Sequence, residues 1–483
     1  MEERLSSGIE GLDEILHGGF LRGRAYLVRG GPGTGKTTLG WYFLRSGVDA
    51  GEPVLLISLG EPVDQMRHNA ARLGLDLGPV ETLDLAPTPE YFVQVESYDI
   101  FTPAEVELEP TTKTIVDTVN RVGPRRVFVD SMTQLRYFSR DPFQYRKQVL
   151  SFLRFLIEKG ATVLFTSEGS LEAPDTDLQF LADGVIDLEL RGRERTLEVT
   201  KFRGSSFEPG RHCFRLDEQG MRVFPRLVPE AFGRKFAHER VSSGIPELDA
   251  MLGGGIVRGT VTLISGPSGV GKTTVGLHFL TEAARRGERA AHYLFEEDTT
   301  TALAHGEAVG LHLRELVDGG RLRLMYVEPL RYTPDEFARI VRHDVEEGDV
   351  RTVMIDSMAS YRLAMRGEDP AAHLHALCRY LTNMGVTVLV VDELTRVTGD
   401  FQVSELGLSF VGDAVIFLRY LEIGGELRRA IGVLKMRYSD FEKTLREFAI
   451  TEQGVRVGPP LHGLRGILTG TPELQDPGKP RPA

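Results

Sequence analysis

Two stretches of the chain are rich in glycine and have the spacing of a phosphate-binding loop. Residues 30–37 are GGPGTGKT and residues 266–273 are GPSGVGKT, so both match the pattern G-x-x-x-x-G-K-[ST]. Glycines leave room for backbone N–H groups to surround a phosphate, and a helix that begins at the loop adds a favourable dipole. The sequence therefore predicts two sites for a nucleoside triphosphate. The residues expected to contact it are Gly31, Pro32, Gly33, Thr34, Gly35, Lys36, Thr37 and Thr38 in the first site, and Pro267, Ser268, Gly269, Val270, Gly271, Lys272, Thr273 and Thr274 in the second.

The last residues of each loop have side chains suited to phosphate groups and to a metal ion. Lys36 and Lys272 are expected to reach the β- and γ-phosphate oxygens, which makes them candidate catalytic residues. The hydroxyl groups of Thr37 and Thr273 are expected to bind Mg²⁺.

An aspartate follows a short apolar run in each half of the chain. Asp130 ends the run at residues 126–130 (RVFVD), and Asp356 ends the run at residues 353–356 (VMID). An aspartate in such a place is often only a helix cap or a turn residue. Beside a phosphate loop, however, a carboxylate at the end of a buried strand can hold the Mg²⁺ shell. Both aspartates are therefore predicted metal-site residues.

The elements that must position these side chains are short apolar runs that alternate with helical patterns. Such runs are typical of buried parallel strands. Because strands alternate with helices, the predicted fold class is α/β, with a mostly parallel twisted sheet flanked by helices. The predicted strands include residues 25–28, 54–57, 127–129, 162–165, 261–264, 353–355 and 386–391.

The chain also repeats itself at a constant offset. Residues 6–9 (SSGI) recur at 242–245, and the offsets 242 − 6, 254 − 18 and 272 − 36 all equal 236. A constant offset indicates two copies of one domain. We predict an N-terminal domain at 1–235, a C-terminal domain at 236–458, and a tail at 459–483 whose prolines and glycines disfavour regular structure.

Composition excludes several classes of protein. The chain has 483 residues, of which 41% are hydrophobic and 26% are charged. This balance is typical of globular domains and disfavours disorder. The net charge is 57 − 69 = −12. The negative charge disfavours a nucleic-acid partner without ruling out a local basic groove. Two cysteines indicate a reducing compartment, and neither an export signal nor a long apolar span is evident, so we expect a cytoplasmic protein without a membrane partner.

Together these residues resemble the RecA-type ATPases, and among them the KaiC family, the two-domain ATPases and autokinases of the cyanobacterial clock. The resemblance covers nearly all of the chain. It implies two tandem RecA-like P-loop domains, ATP and Mg²⁺ as cofactors, and a homo-hexameric ring with nucleotide between neighbouring subunits. The stretches that carry it most specifically are residues 295–297 (FEE), 420–426 (YLEIGGE), 433–437 (VLKMR) and 446–448 (REF).

The resemblance also implies a base. In this family a pair of glutamates after the second strand acts on the attacking oxygen, and Glu296 and Glu297 match both positions. The first copy has Gly60 and Glu61 there, so one carboxylate is absent. A base must lie within hydrogen-bond reach of the nucleophile. We therefore expect the N-terminal domain to bind ATP and to hydrolyse it slowly, with Glu61 as its remaining candidate base.

Basic pairs follow later in each copy. Lys201 and Arg203 alternate along a predicted strand, as do Lys435 and Arg437, and residues two apart share a strand face. In the family they resemble fingers that contact the γ-phosphate held by the neighbouring subunit. The alternative interpretation is a charged edge strand exposed to solvent.

The family also implies phosphorylation of an adjacent Ser and Thr in the second domain. Ser409 matches the serine, but Phe410 replaces the threonine, so a two-site cycle is not expected. Ser409 and nearby Ser404 are the candidate phosphoacceptors. The tail shows no counterpart of the segment that a clock partner binds, so a timing role is not expected either.

Three functions stay open at this point. The first is an Mg-ATP-dependent ring ATPase with serine autokinase capacity in the C-terminal domain, which couples nucleotide state to an unidentified signalling partner. The second is a RecA-like, DNA-stimulated recombination or repair motor, which the charge disfavours. The third is a nucleotide-gated scaffold with little hydrolysis.

Overall fold

The structure is a computed structural model that describes residues 3–87, 103–138, 141–168, 175–365, 369–394, 412–423, 425–461, 464–465 and 473–474. It divides into two compact units, Met1–Arg226 and Leu227–Ala483. None of the helices among these residues combines the length and the apolar character that crossing a membrane requires.

The division lies before residue 235 because the connecting segment packs on the second unit. Leu227 is buried in the core of that unit, and Phe232 packs against the same core. Asn383 donates a hydrogen bond to the carbonyl oxygen of Pro229 at 2.9 Å.

In the first unit, short helices and strands alternate as the sequence pattern predicts. The strands are β1 Arg4–Leu5, β2 Phe20–Leu21, β3 Ala25–Gly30, β4 Val54–Ser58, β5 Glu81–Asp84, β6 Arg126–Asp130, β7 Thr162–Ser167, β8 Gly184–Arg191, β9 Glu194–Phe202, β10 Arg211–Asp217 and β11 Gly220–Phe224. The helices are α1 Glu10–Ile15, α2 Lys36–Asp49, α3 Val63–Arg72, α4 Pro103–Val122, α5 Pro142–Glu158 and α6 Thr176–Leu181, with a 3₁₀ helix at Met132–Phe138.

The second unit has a similar order of elements. Its strands are β12 Arg240–Val241, β13 Ile256–Val257, β14 Val261–Gly266, β15 Arg289–Leu294, β16 Leu322–Tyr326, β17 Val350–Asp356, β18 Thr387–Glu393, β19 Ala414–Ile423, β20 Glu426–Met436, β21 Arg446–Thr451, β22 Gly454–Pro460, β23 Leu464–Arg465 and β24 Glu473–Leu474. Its helices are α7 Pro246–Met251, α8 Lys272–Arg285, α9 Thr299–Ala308, α10 Leu313–Asp318, α11 Pro334–Glu346, α12 Met358–Ala364 and α13 Pro370–Asn383, with a 3₁₀ helix at Pro229–Ala231.

Among the residues that the structure describes, each unit contains one nine-stranded sheet, and the two sheets have the same topology. The orders are β11-β10-β9-β8-β3-β7-β6-β4-β5 and β22-β21-β20-β19-β14-β18-β17-β15-β16. The strands from β8 to β5 pair in parallel, as do those from β19 to β16. The remaining strands of each sheet form an antiparallel extension. The α/β prediction with two tandem, mostly parallel sheets is confirmed, and the predicted runs lie in its parallel strands.

The helix that follows each phosphate loop packs closely on the sheet. Gly40 in α2 lies over Phe128 of β6, where a Cβ atom would meet the ring at 2.0 Å. Gly276 in α8 lies over Met354 of β17 in the same way, with 2.4 Å to its Sδ. This close approach brings the start of each helix to the end of the strand that carries the aspartate.

Candidate nucleotide-binding and catalytic sites

The first phosphate loop lies between β3 and α2. Gly35 precedes the helix with φ 101°, a left-handed conformation that favours glycine. Lys36 folds back, and its Nζ donates to the carbonyl oxygens of Gly30 at 2.8 Å and Gly31 at 2.9 Å. Burial lowers the pKa of the Lys36 ammonium. The loop therefore folds around the Lys36 ammonium group, at a helix N-terminus of the kind that suits a phosphate.

The second loop has the same construction between β14 and α8. Gly271 precedes the helix with φ 112°, and Lys272 Nζ donates to the carbonyl oxygen of Pro267 at 2.9 Å. Burial lowers the pKa of Lys272 as well. Val270 is buried in the core, so among the predicted contact residues it can present only its backbone to a phosphate.

The threonine and aspartate of each predicted metal site lie together. Thr37 Oγ1 donates to Asp130 Oδ2 at 2.6 Å, and Thr273 Oγ1 donates to Asp356 Oδ2 at 2.7 Å. Hydroxyl and carboxylate oxygens are the ligands that Mg²⁺ prefers, and here they lie at the start of the loop helix. The residues present therefore fit an Mg²⁺ ion, which the threonine and the aspartate of each unit would hold.

The two glutamates of the second unit have different surroundings. Glu296 Oε1 accepts hydrogen bonds from Ser357 Oγ at 2.5 Å and from Ser360 Oγ at 2.7 Å. Ser357 caps the N-terminus of α12, so the hydroxyl groups come from the segment that follows Asp356. Burial raises the pKa of the Glu297 carboxyl. One carboxylate is thus held in place, and the other is partly shielded from water.

The first unit differs at this position. Gly60 lies beside Gln134, whose Nε2 is 3.5 Å from where a Cβ of residue 60 would stand. Glu61 Oε1 accepts a hydrogen bond from Asn69 Nδ2 at 3.2 Å. Burial raises the pKa of Glu61, and the negative charge of Asp130 adds to the effect. The first site therefore keeps one partly buried carboxylate.

The lysines of the basic pairs hold backbone groups of their own unit. Lys201 Nζ donates to the carbonyl oxygens of Gln179 at 2.8 Å and Ala182 at 2.6 Å, at the end of α6. Lys435 Nζ donates to the carbonyl oxygen of Gly412 at 2.6 Å.

The arginines of the pairs are more exposed. The Arg203 side chain is 58% exposed and lies 3.8 Å from Asp183, and the Arg437 side chain is 49% exposed and lies 3.3 Å from Asp413. In each pair the arginine is thus the side chain that presents more of its surface to solvent.

Some residues were missed by sequence reasoning, and some predictions lie outside the described residues. Asn69 stands eight residues after Glu61, and His305 stands eight residues after Glu297 (69 − 61 and 305 − 297). This shared spacing is the sequence feature from which the two residues could have been found. His305 Nε2 lies 3.1 Å from Thr274 Oγ1. Thr274 and Thr38, which the sequence pattern predicts to be nucleotide contacts, are both buried. Ser404 and Ser409 lie outside the described residues.

A glycine loop between a central parallel strand and a helix, with an aspartate at the end of a nearby strand, defines the P-loop class of ATPases. Each unit of the chain contains this arrangement.

The comparisons with known proteins define the family within this class. The family model described as "ATPase: KaiC" matches residues 5–228 and again residues 241–462. The chain belongs to the KaiC family of ATPases. It is 28% identical to the circadian clock oscillator protein KaiC of Acaryochloris marina over 97% of this chain and 91% of that protein. It is also 28% identical to the circadian clock protein KaiC3 of Synechocystis, over 97% of this chain and 94% of that protein. The predicted resemblance is confirmed, and the chain is a KaiC-like, nucleotide-binding ATPase.

Proposed function

We propose that this chain is an Mg-ATP-dependent ring ATPase whose C-terminal site hydrolyses ATP faster than its N-terminal site. The observation that carries the proposal is the contrast between Glu296, which Ser357 and Ser360 hold beside Glu297, and Gly60, which offers no side chain. A general base contributes only when it can reach the proton that it removes. The second site has two carboxylates for this role, and the first site has one.

The residues of the C-terminal site have different roles in hydrolysis. Lys272 contacts phosphate oxygens, and Thr273 and Asp356 hold the metal. Glu296 and Glu297 orient the attacking water and accept its proton. Mg²⁺, when bound, neutralises charge on the phosphates. Lys36, Thr37, Asp130 and Glu61 have the same roles in the slower N-terminal site.

Assembly into a homo-hexameric ring completes each site in this proposal. Arg203 and Arg437 are the fingers that reach the γ-phosphate of the neighbouring subunit, where charge develops in the transition state. Their exposure supports this assignment. Lys201 and Lys435 act indirectly, because their hydrogen bonds to backbone carbonyls fix the segments that precede β8 and β19.

The proposal extends to signalling. The relatives are named as circadian clock proteins. We propose that this chain couples its nucleotide state to a protein partner, and that the C-terminal domain transfers phosphate to Ser409 or Ser404. Intact mass after incubation with Mg-ATP tests the transfer. A gain of one phosphate that Ser409→Ala removes supports Ser409, and an unchanged mass in the unmodified chain overturns the autokinase part.

The asymmetry of the two sites is tested with single-site variants of the full chain. Lys36→Ala silences the first loop, and Lys272→Ala silences the second. We expect Lys272→Ala to lose most of the steady-state turnover and Lys36→Ala to keep most of it. Binding of a fluorescent ATP analogue is the control, since each variant should keep one binding site. The opposite ranking of turnover would overturn the proposal.

A further inference from the structure

The two strand-end aspartates have different partners on the neighbouring strands. In the first unit, Thr37 Oγ1 donates to Asp130 Oδ2, and Thr166 Oγ1 on β7 donates to Asp130 Oδ1. Both oxygens of this carboxylate are therefore held by hydroxyl groups. In the second unit Thr273 is retained, but the residue of β18 that corresponds to Thr166 is Val391, whose side chain has no hydrogen-bond donor.

The strand register shows that Val391 and Thr166 are equivalent. Phe165 pairs with Val129, one residue before Asp130. Val390 pairs with Ile355, one residue before Asp356. The next residue of β7 is Thr166, and the next residue of β18 is Val391.

The strand on the other side of Asp356 also differs between the two units. His292 on β15 pairs with Met354, as Leu56 on β4 pairs with Phe128 in the first unit. His292 Nε2 lies 3.7 Å from Asp356 Oδ2. The first unit thus has leucine and threonine on the two strands beside its aspartate, and the second has histidine and valine.

His292 is otherwise unexplained by the packing. Its side chain is 0% exposed, and neither ring nitrogen has a hydrogen-bond partner among the described residues. A buried polar group without a partner costs free energy, so a native structure that keeps one calls for a reason. A distance of 3.7 Å is longer than a hydrogen bond. Contacts of this kind often tighten only when the ligands of a site are bound.

We infer that His292 is a positioning residue for Asp356. Its Nε2–H holds Oδ2 of this carboxylate, which Thr273 also contacts, and so orients the group toward Mg²⁺, whereas in the first unit Thr166 holds Oδ1 of Asp130. The inference rests on the proposed assignment of Asp356 to Mg²⁺. Groups that orient a metal-binding carboxylate typically change metal affinity by about 10- to 100-fold when they are removed. The role concerns metal affinity, so it can be measured without turnover.

The test is a Mg²⁺ titration of fluorescent ADP-analogue binding to the full chain, in a Lys36→Ala background that confines binding to the second loop. His292→Leu introduces the leucine of the first unit and should raise the Mg²⁺ concentration for half-saturation about tenfold or more. His292→Leu combined with Val391→Thr recreates the first unit's arrangement and should restore most of the affinity. A purely packing role of His292 predicts no rescue, because a hydroxyl placed in a core is normally unfavourable.

Asp356→Asn separates failure of the inference from failure of the proposed function. If Asp356→Asn raises the Mg²⁺ concentration for half-saturation and His292→Leu does not, the inference is overturned and the metal assignment stands. If neither variant changes this concentration, the inference and the metal assignment are both overturned. A loss in His292→Leu that Val391→Thr does not repair also overturns the inference.

A reciprocal pair covers the case in which His292→Leu does not fold, as judged by circular dichroism. In a Lys272→Ala background, Thr166→Val should raise the Mg²⁺ concentration for half-saturation of the first site. Adding Leu56→His should bring this concentration back down. Failure of this rescue counts against the inference.

Discussion

Glu296 and Glu297 are neighbours in sequence, yet only Glu296 is held by two hydroxyl groups. We expect Glu296→Gln to lower turnover of the C-terminal site by about 10²-fold or more, because an amide cannot accept the proton of water as a carboxylate does. ATP affinity should be unchanged, since the loop and Lys272 are untouched. The measurement is steady-state hydrolysis together with ATP binding in a Lys36→Ala background. Unchanged turnover would remove Glu296 from the mechanism.

The first unit offers the converse experiment. Gly60 has ordinary van der Waals space around the position of a Cβ, with Gln134 as its nearest neighbour. We expect Gly60→Glu together with Gln134→Ser to recreate the arrangement of Glu296 and Ser360, and to raise hydrolysis at the first site about tenfold. Hydrolysis is measured in a Lys272→Ala background. Gly60→Gln with Gln134→Ser is the matched control and should give no gain, and equal gains in the two variants would contradict the prediction.

At the residue scale, contiguous motifs were predictable and spatial partners were not. The two loops and Asp130 and Asp356 could be found because each motif lies within a few residues. Ser360 contacts Glu296, and Gln134 lies beside Gly60. These contacts could not be predicted, because the paired residues are far apart in the sequence. The exchange of Thr166 for His292 depends on which strands lie on either side of β6 and β17, and sequence order does not give this sheet order.

At the scale of elements, the loop helix of the second unit is joined to the sheet extension through a histidine. The backbone N–H of Val455 on β22 donates to His278 Nε2 on α8 at 2.9 Å. In the first unit the Tyr42 hydroxyl accepts the corresponding N–H, that of Met221, at 3.1 Å. Burial lowers the pKa of His278 to about 4, and the positive charge of Arg285 adds to this. Only an unprotonated Nε2 can accept this hydrogen bond.

This link should make stability depend on pH. Between the unfolded pKa of about 6.5 and the folded pKa of about 4, the unfolded chain binds a proton at His278 that the folded chain does not. The stabilisation is therefore complete above pH 6.5 and is lost as the pH falls toward 4, by about 1–3 kcal/mol in the free energy of unfolding. Denaturant-induced unfolding, measured at several pH values between 4 and 6.5, gives this change in the free energy of unfolding of the second unit. His278→Tyr, which copies Tyr42, should show a smaller loss, and an equal loss would contradict the assignment.

Many of the parallel strands could be predicted, whereas most of the antiparallel extension could not. Buried parallel strands such as β3 and β18 are continuous apolar runs, which stand out in the sequence. Strands such as β9 alternate between buried and more exposed side chains, and their pattern is weaker. The basic pairs that begin at Lys201 and Lys435 were the features that indicated strands in this part of each sheet.

At the scale of the whole molecule, the two units share one topology and differ at the positions proposed to be catalytic. The proposed roles of Arg203 and Arg437 belong to this scale. A side chain that contacts the γ-phosphate of a neighbouring subunit can be tested only in an assembly of subunits. In a ring, each contact is made by different faces of two subunits, so the loop and the finger of one site come from different chains. Inactivating them in separate chains therefore distinguishes action between subunits from action within one.

We expect a chain with Arg437→Ala and a chain with Lys272→Ala, both in a Lys36→Ala background, to be nearly inactive alone and active together. In mixed rings an intact loop can meet an intact finger, and random mixing at equal amounts gives about a quarter of such interfaces. Turnover of the co-expressed, doubly tagged assembly should therefore approach about a quarter of the value of the Lys36→Ala chain. Nucleotide binding by the Arg437→Ala chain alone should be retained. Mixed rings without recovered turnover, or full turnover by a monodisperse monomer, would show that Arg437 does not act between subunits.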